Sequence, residues 1–298
     1  GDMNSNKNAS RRRILLKVSI IIQLCTLSSA YTAAVLERLA QASSLSYLPS
    51  DRMAASPYSE PSSLRPLAQV LDPASESGAT IFEDAVDPSL PLVVACRGSA
   101  NPKNFGTNLK FDLVPATRLS QTSVPDDARI HRGFQDAAAG LWGALAPRLY
   151  ATLEERAGAS GLVFTGHSLG AATALLCAVH YTAARRGKDG YVRPDVITFG
   201  GPKLCNGALA RHLRNEALEG SNVLHLVHGK DPVLANNQKL WKKLGFEDVG
   251  VEMQCDPKSP MVYTVEDPPK KSRSFLGRFA WNIVDHCNYM GVFVGPRL

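Results

Sequence analysis

The sequence predicts an α/β fold with a mostly parallel, mixed central sheet covered by helices on both faces. Short apolar strand-like runs alternate with longer helical ones, as in Leu141 to Arg156 and Ala208 to Ala217, the order that places crossover helices over parallel strands. Gly166-His167-Ser168-Leu169-Gly170 stands between one such strand and one such helix. The 298 residues, 44% of them hydrophobic, match one domain of about 220 to 250 residues plus a leader, and no internal repeat divides them.

Residues 1 to 30 read as that leader. Basic Arg11-Arg12-Arg13 precedes an apolar stretch from Ile14 to Leu27, interrupted by Lys17, and small Ser28-Ser29-Ala30 supplies a cleavage site. No acidic residue lies between Asp2 and Glu37, so a secretory signal and a plastid transit peptide both fit. The uninterrupted run from Val18 to Leu27 is too short to span a bilayer. Residues 31 to 78 are expected to hold an N-terminal helix and then, from residue 43, a Ser/Pro/Ala-rich extended loop over the body. The α/β domain itself is expected over residues 79 to 298. Of the net charge of +6, Lys7, Arg11, Arg12, Arg13 and Lys17 less Asp2 place +4 in the first 30 residues. That location argues against nucleic acid as a partner.

Leu162-Val163-Phe164-Thr165 is a buried-strand run, whereas Ala171 to Arg185 is alanine- and leucine-rich with no Gly or Pro. The chain must therefore turn sharply at Ser168, which Gly166 and Gly170 permit by lacking side chains that would clash. Such a turn presents a serine hydroxyl at a helix N-terminus, where the helix dipole favours an anion. A nucleophilic serine needs a base and the base an orienting acid, in the chain order serine, acid, histidine. Of seven histidines, only His286 follows the best acid. That acid is Asp231, which comes after the strand-like Asn222 to Val227 and the turn His228-Gly229-Lys230. Asp195 opens its strand and would lie at the wrong edge of the sheet, and Asp285 adjoins the base it would have to face. Oxyanion donors are expected from the Leu169 amide and from Ser99, which follows the strand Leu92 to Cys96 through a glycine-relaxed turn. The histidines lack zinc spacing, and no metal or other cofactor is implied.

These residues resemble the fungal-type (class 3) lipases of the α/β-hydrolase superfamily, and a plant or algal member in particular. Val93 to Ser99 is similar to the family's strand ending in Phe-Arg-Gly-Ser/Thr, Asn104 to Leu109 to the Asn-Trp and Asp-Leu segment, and His131-Arg132-Gly133-Phe134 to His-x-Gly-Phe. Ile197 to Lys203 resembles Thr-Phe-Gly-x-Pro-Arg, Gly250 to Met253 the His-Val-Gly-x-Glu-Leu stretch, and Asp231-Pro232-Val233 and His286 to Tyr289 the acid and base segments. The resemblance covers residues 79 to 295 or so. It implies the α/β-hydrolase fold, Ser168, Asp231 and His286 as a triad, Ser99 and Leu169 as oxyanion donors, and His131 as a packing residue. Cys96 stands where the family has phenylalanine, Phe105 where it has tryptophan and Asn108 where it has aspartate.

The resemblance also implies a lid, here Ser99 to Val114, in which Phe105, Leu109, Phe111, Leu113 and Val114 alternate with polar residues. Opening it would offer an apolar surface to an acyl chain at a lipid–water interface. Lys270 to Phe279 is either a second, basic contact with an anionic membrane surface or a solvated loop entering a core helix. The implied function is serine-dependent hydrolysis of glycerolipid esters through an acyl-enzyme, with neutral lipids, phospholipids and galactolipids all open as substrates. The rival of another class is a non-catalytic module on the same fold. The cysteines after residue 30 are odd in number and spread out, a pattern of buried thiols rather than a disulfide scaffold, with one bridge involving Cys255 left open.

Overall fold

Strand Leu92–Cys96 shows how the sheet is built. Its alternate residues Leu92, Val94 and Cys96 pack into one apolar cluster and Val93 and Ala95 into another, so it is buried on both faces. The computed structural model describes residues 31–98, 112–119, 124–157, 159–229, 231, 238–255, 262–264 and 285–296. In chain order the elements that matter here are helix α1 (Ala33–Leu45), β1 (Leu64–Leu71), β2 (Gly78–Asp84), β3 (Leu92–Cys96), β4 (Leu113–Pro115), β5 (Arg129–His131) and α2 (Arg132–Glu155). There follow β6 (Leu162–His167), α3 (Leu169–Arg185), β7 (Pro194–Phe199), β8 (Cys205–Asn206), α4 (Gly207–His212), β9 (Val223–His228), α5 (Gln238–Lys243), β10 (Phe246–Glu247), β11 (Val251–Cys255), β12 (Val262–Thr264), β13 (Asn288–Tyr289) and β14 (Val292–Phe293).

The main sheet has the order β1-β2-β3-β6-β7-β9-β11-β12. Its centre, from β3 to β11, is parallel, whereas β1, β2 and β12 join antiparallel at the two edges. Helices α2 and α3 bury Leu141, Leu145, Leu149, Leu175 and Leu176 against one face, and α1 buries Leu36, Leu39 and Leu45 against the other. This is the α/β-hydrolase fold, a large, mostly parallel sheet between helical layers.

Two expectations need correction. The stretch from residue 43 to 78 is not an extended loop: α1 continues to Leu45, short helical turns follow at Ser50–Met53 and Ser59–Ser62, and β1 pairs along β2 from Leu64 to Leu71. Pro66 lacks an amide proton, yet an edge strand tolerates it, and the register shifts between Pro66 and Ala68. The span expected for the lid also ends too late. Leu113 and Val114 belong to β4, which pairs with β5 in a small sheet of order β10-β8-β5-β4. Phe105, Leu109 and Phe111 lie outside the described residues, as do the leader and Lys270 to Phe279.

Among the described residues no helix is long and apolar enough to cross a membrane. Cys96, Cys177, Cys205, Cys255 and Cys287 are free thiols, the first four buried, so Cys255 forms no bridge. Burial pushes the Cys255 thiol up to about 12.

Candidate active site

Strand β6 ends at His167 and α3 begins at Leu169, so a single residue makes the turn. Ser168 makes it at φ 60°, ψ −125°, a conformation that costs a side-chain-bearing residue free energy. Bonds hold it there: Ser168 N–H donates to Phe199 O and Ala171 N–H to Ser168 O, both at 3.0 Å. The flanking glycines are required by backbone, not by flexible side chains. A Cβ on Gly166 would stand 2.3 Å from Gly170 O, and one on Gly170 would stand 2.3 Å from Cys96 O and 2.8 Å from Gly98 N. The elbow thus packs directly on the end of β3, which carries the chain toward Ser99. Leu169 opens α3, with its amide the first after the serine, whereas Ser99 lies outside the described residues.

Asp231 follows β9 through a turn in which Gly229 has φ 53°. It is fully buried, and its Oδ2 accepts hydrogen bonds from His286 Nδ1 at 2.8 Å and from Tyr289 Oη at 2.6 Å. A carboxylate only accepts, so the His286 proton is on Nδ1 and Nε2 is the basic nitrogen. His286 packs beside the elbow: its ring lies 4.6 Å from that of His167, whose Nε2 bonds to His286 O at 2.6 Å. The structure therefore brings Asp231 and His286 together next to the residue preceding Ser168. Burial, then the neighbouring His286, lowers the His167 pKa to about 3, which keeps that ring neutral. Burial and the Asp231 charge push the Cys287 thiol up to about 11.

The alternative acids are engaged elsewhere. Asp195 accepts from Tyr31 Oη, and from Asn222 N at 2.7 Å and Nδ2 at 2.9 Å, at the opposite end of the parallel strands. The Asp285 carboxylate lies against Gly229, and its carbonyl lies 3.2 Å from His228 Nδ1. His131 is buried, with its ring stacked 3.9 Å from Phe134. His225 lies 2.7 Å from Thr198 Oγ1 through Nδ1, within the sheet.

Three contributors escape sequence reasoning. Tyr289 bonds the acid; its signal is an aromatic hydroxyl near the base that burial obliges to find a partner. Gly200, at φ 56°, leaves room for the acid–base pair, since a Cβ there would stand 2.7 Å from Asp231 Oδ2. Tyr47, just beyond α1, lies 3.0 Å from His167 Nδ1 through its hydroxyl, a contact across 120 positions that no local pattern announces.

A strained serine between strand and helix thus stands beside a buried carboxylate–imidazole pair on a sheet of the α/β-hydrolase fold. Residues 93–236 match the family Lipase (class 3). It is 30% identical over 145 residues to a secreted mono- and diacylglycerol lipase of Fusarium solani, a stretch covering 48% of this chain and 38% of that protein. It is also 30% identical over 148 residues to a chloroplastic phospholipase A1 of Arabidopsis thaliana, covering 49% and 19%. The chain thus spans well under half the length of these curated relatives. In fold it is similar to the Rhizomucor miehei lipase in its propeptide complex, with a TM-score of 0.67 and 21% identity over 87% of this chain and 80% of that one. The Lip2 lipase of Yarrowia lipolytica gives a TM-score of 0.64 and 21% identity, over 87% and 93%.

Proposed function

We propose that the protein is a serine-dependent carboxylester hydrolase that releases fatty acid from glycerolipids, with Ser168 as nucleophile, His286 as general base and acid, and Asp231 as its orienting carboxylate. The observation that carries this reading is the fully buried Asp231 bonded at 2.8 Å to a histidine packed beside the serine turn. In the proposed reaction Ser168 Oγ attacks the ester carbonyl carbon as its proton passes to His286 Nε2. The imidazolium is stabilised by Asp231, and the Leu169 amide, with Ser99 as second donor, faces the oxyanion. The carbon–oxygen bond to the glycerol moiety then breaks, with His286 protonating the departing alcohol. Water, deprotonated by His286, attacks the acyl-enzyme and frees the fatty acid and Ser168.

Similarity to both a diacylglycerol lipase and a phospholipase A1 supports neutral glycerolipids and phospholipids as the substrates to test first. Phe105, Leu109 and Phe111 are proposed as the acyl-facing lid residues, and peripheral contact with a lipid–water interface follows from that role. Relatives named as secreted and as chloroplastic keep both leader destinations in view. The test is labelling with a fluorophosphonate: wild type should label and Ser168→Ala should not. Labelling that persists in Ser168→Ala refutes the assignment. Fatty-acid release from emulsified triacylglycerol, phospholipid vesicles and galactolipid vesicles then ranks the substrates.

A further inference from the structure

His167 and Tyr47 have no part in the chemistry just described, yet they occupy its centre. The His167 ring is buried between the base loop and the end of α1, with Nε2 2.6 Å from His286 O and Nδ1 3.0 Å from Tyr47 Oη. A carbonyl only accepts, so the proton of the neutral ring is on Nε2 and Nδ1 must accept. The Tyr47 hydroxyl therefore donates to His167. Tyr47 Oη also packs against the segment leading to Ser99, since a Cβ on Gly98 would stand 2.1 Å from it and 2.6 Å from His167 O. The end of α1 is itself tied to the elbow strand, with Ser43 Oγ 3.1 Å from Thr165 Oγ1.

We propose that Tyr47 O–H and His167 Nε2–H form a directed hydrogen-bond relay that, with Tyr47 packed on Gly98, sets the oxyanion segment and the base loop relative to Ser168, with Tyr47 and His167 as positioning residues. The inference rests on the acyl-transfer reading above. Asp231 fixes the imidazole of His286 from the side-chain end, and His167 fixes its backbone from the other. Removing the Tyr47 hydroxyl leaves a buried ring nitrogen without a donor and frees the His167 ring to turn away from His286 O. Orientation is lost rather than substrate affinity, so the effect belongs in kcat.

The experiment uses the whole chain and a dissolved short-chain p-nitrophenyl ester, which removes any interfacial step. Tyr47→Phe should lower kcat by about tenfold, the loss typical of one buried hydrogen bond, with KM held. His167→Ala should lose more, and His167→Gln, which keeps a side-chain N–H for His286 O, should regain part. Heteronuclear NMR of the imidazole nitrogens reads the relay without turnover. It should show His167 neutral and protonated on Nε2 from about pH 5 to 8, with the Nδ1 resonance moving downfield in Tyr47→Phe. Unchanged kcat in Tyr47→Phe, or a His167 proton on Nδ1, overturns the proposal while leaving the triad reading intact. A wild type that neither labels with fluorophosphonate nor turns over ester refutes the triad reading, and the catalytic role of the relay with it.

Discussion

Replacing Gly200 by alanine probes how tightly the acid–base contact is enclosed. The new Cβ would stand 2.6 Å from Tyr289 Oη, 2.7 Å from Asp231 Oδ2 and 3.1 Å from His286 Nδ1, at a φ of +56°. The left-handed backbone alone costs a side-chain-bearing residue about 1 to 2 kcal/mol. Ordinary contact distances of about 3.5 Å or more require Oδ2 to retreat by most of an ångström. It has nowhere to go, because Asp231 is fully buried and the same oxygen is held by both His286 and Tyr289. Overpacking of this kind adds about 1 to 3 kcal/mol. The sum, about 2 to 5 kcal/mol, lowers the melting temperature by about 4 to 20 °C for a domain of this size. Displacement of the base by about 1 Å costs on the order of 10²-fold in kcat, short of the roughly 10⁴-fold that follows loss of the acid's function. Gly187→Ala is the control: it shares the positive φ, at +78°, but its Cβ would meet nothing within 4 Å, so it should lose the strain energy alone and keep kcat. The pair is read by calorimetry and by steady-state hydrolysis of a dissolved ester. A Gly200→Ala protein with wild-type kcat, and a melting loss no larger than that of Gly187→Ala, refutes the enclosure.

Other perturbations test the surrounding contacts. Tyr289→Phe removes a donor from a buried carboxylate and should destabilise by about 1.5 to 3 kcal/mol in urea titrations, with a smaller kcat loss than Gly200→Ala because His286 keeps its bond; no change in midpoint would deny the Tyr289–Asp231 bond. Gly170→Ala drives a Cβ to 2.3 Å from the Cys96 carbonyl, so the substitution should abolish labelling by fluorophosphonate or prevent folding, and an active, stable variant would contradict the packing of elbow on β3. Acid should destabilise the fold through its buried neutral histidines, His167 with a pKa lowered to about 3 and His180 with one lowered to about 4, both by burial. Their folded pKa values lie below the ordinary one, so their contribution is complete above about pH 6.5 and is lost below it as the unfolded chain takes up protons, at up to about 1.4 kcal/mol per pH unit for each. His180→Gln should flatten that slope between pH 6.5 and 4, and an unchanged slope would mean that His180 already titrates in the folded protein.

What the sequence makes legible, and what it hides, divides along the range of the interactions. The serine turn is local: a β-branched strand, glycines two residues on either side and an alanine-rich helix lie within one short stretch, and each constrains the next. Asp231 and His286 are distant from it, but topology orders them, because parallel strands bring their C-terminal ends to one edge. The first strand is hidden because Pro66 and the Ser-rich approach look like loop, although an edge strand can carry a proline. Glu83 and Asp84 would pass for surface charges on a short run, yet both are buried, paired with Arg156 at 2.6 Å and Arg38 at 2.9 Å and, for Glu83, with Arg65 as well. Only the arginines, far away in sequence, make that burial tolerable. The N-terminal segment is a second such case. Ser43 meets Thr165 on the elbow strand, Ser44 donates to Phe293 O at 2.7 Å in the hairpin after His286, and Tyr47 meets His167 between them. Helix α1 and the turn after it are thus bonded to both the nucleophile strand and the base segment. A segment that composition presents as a cover is part of what holds the two halves of the site in register.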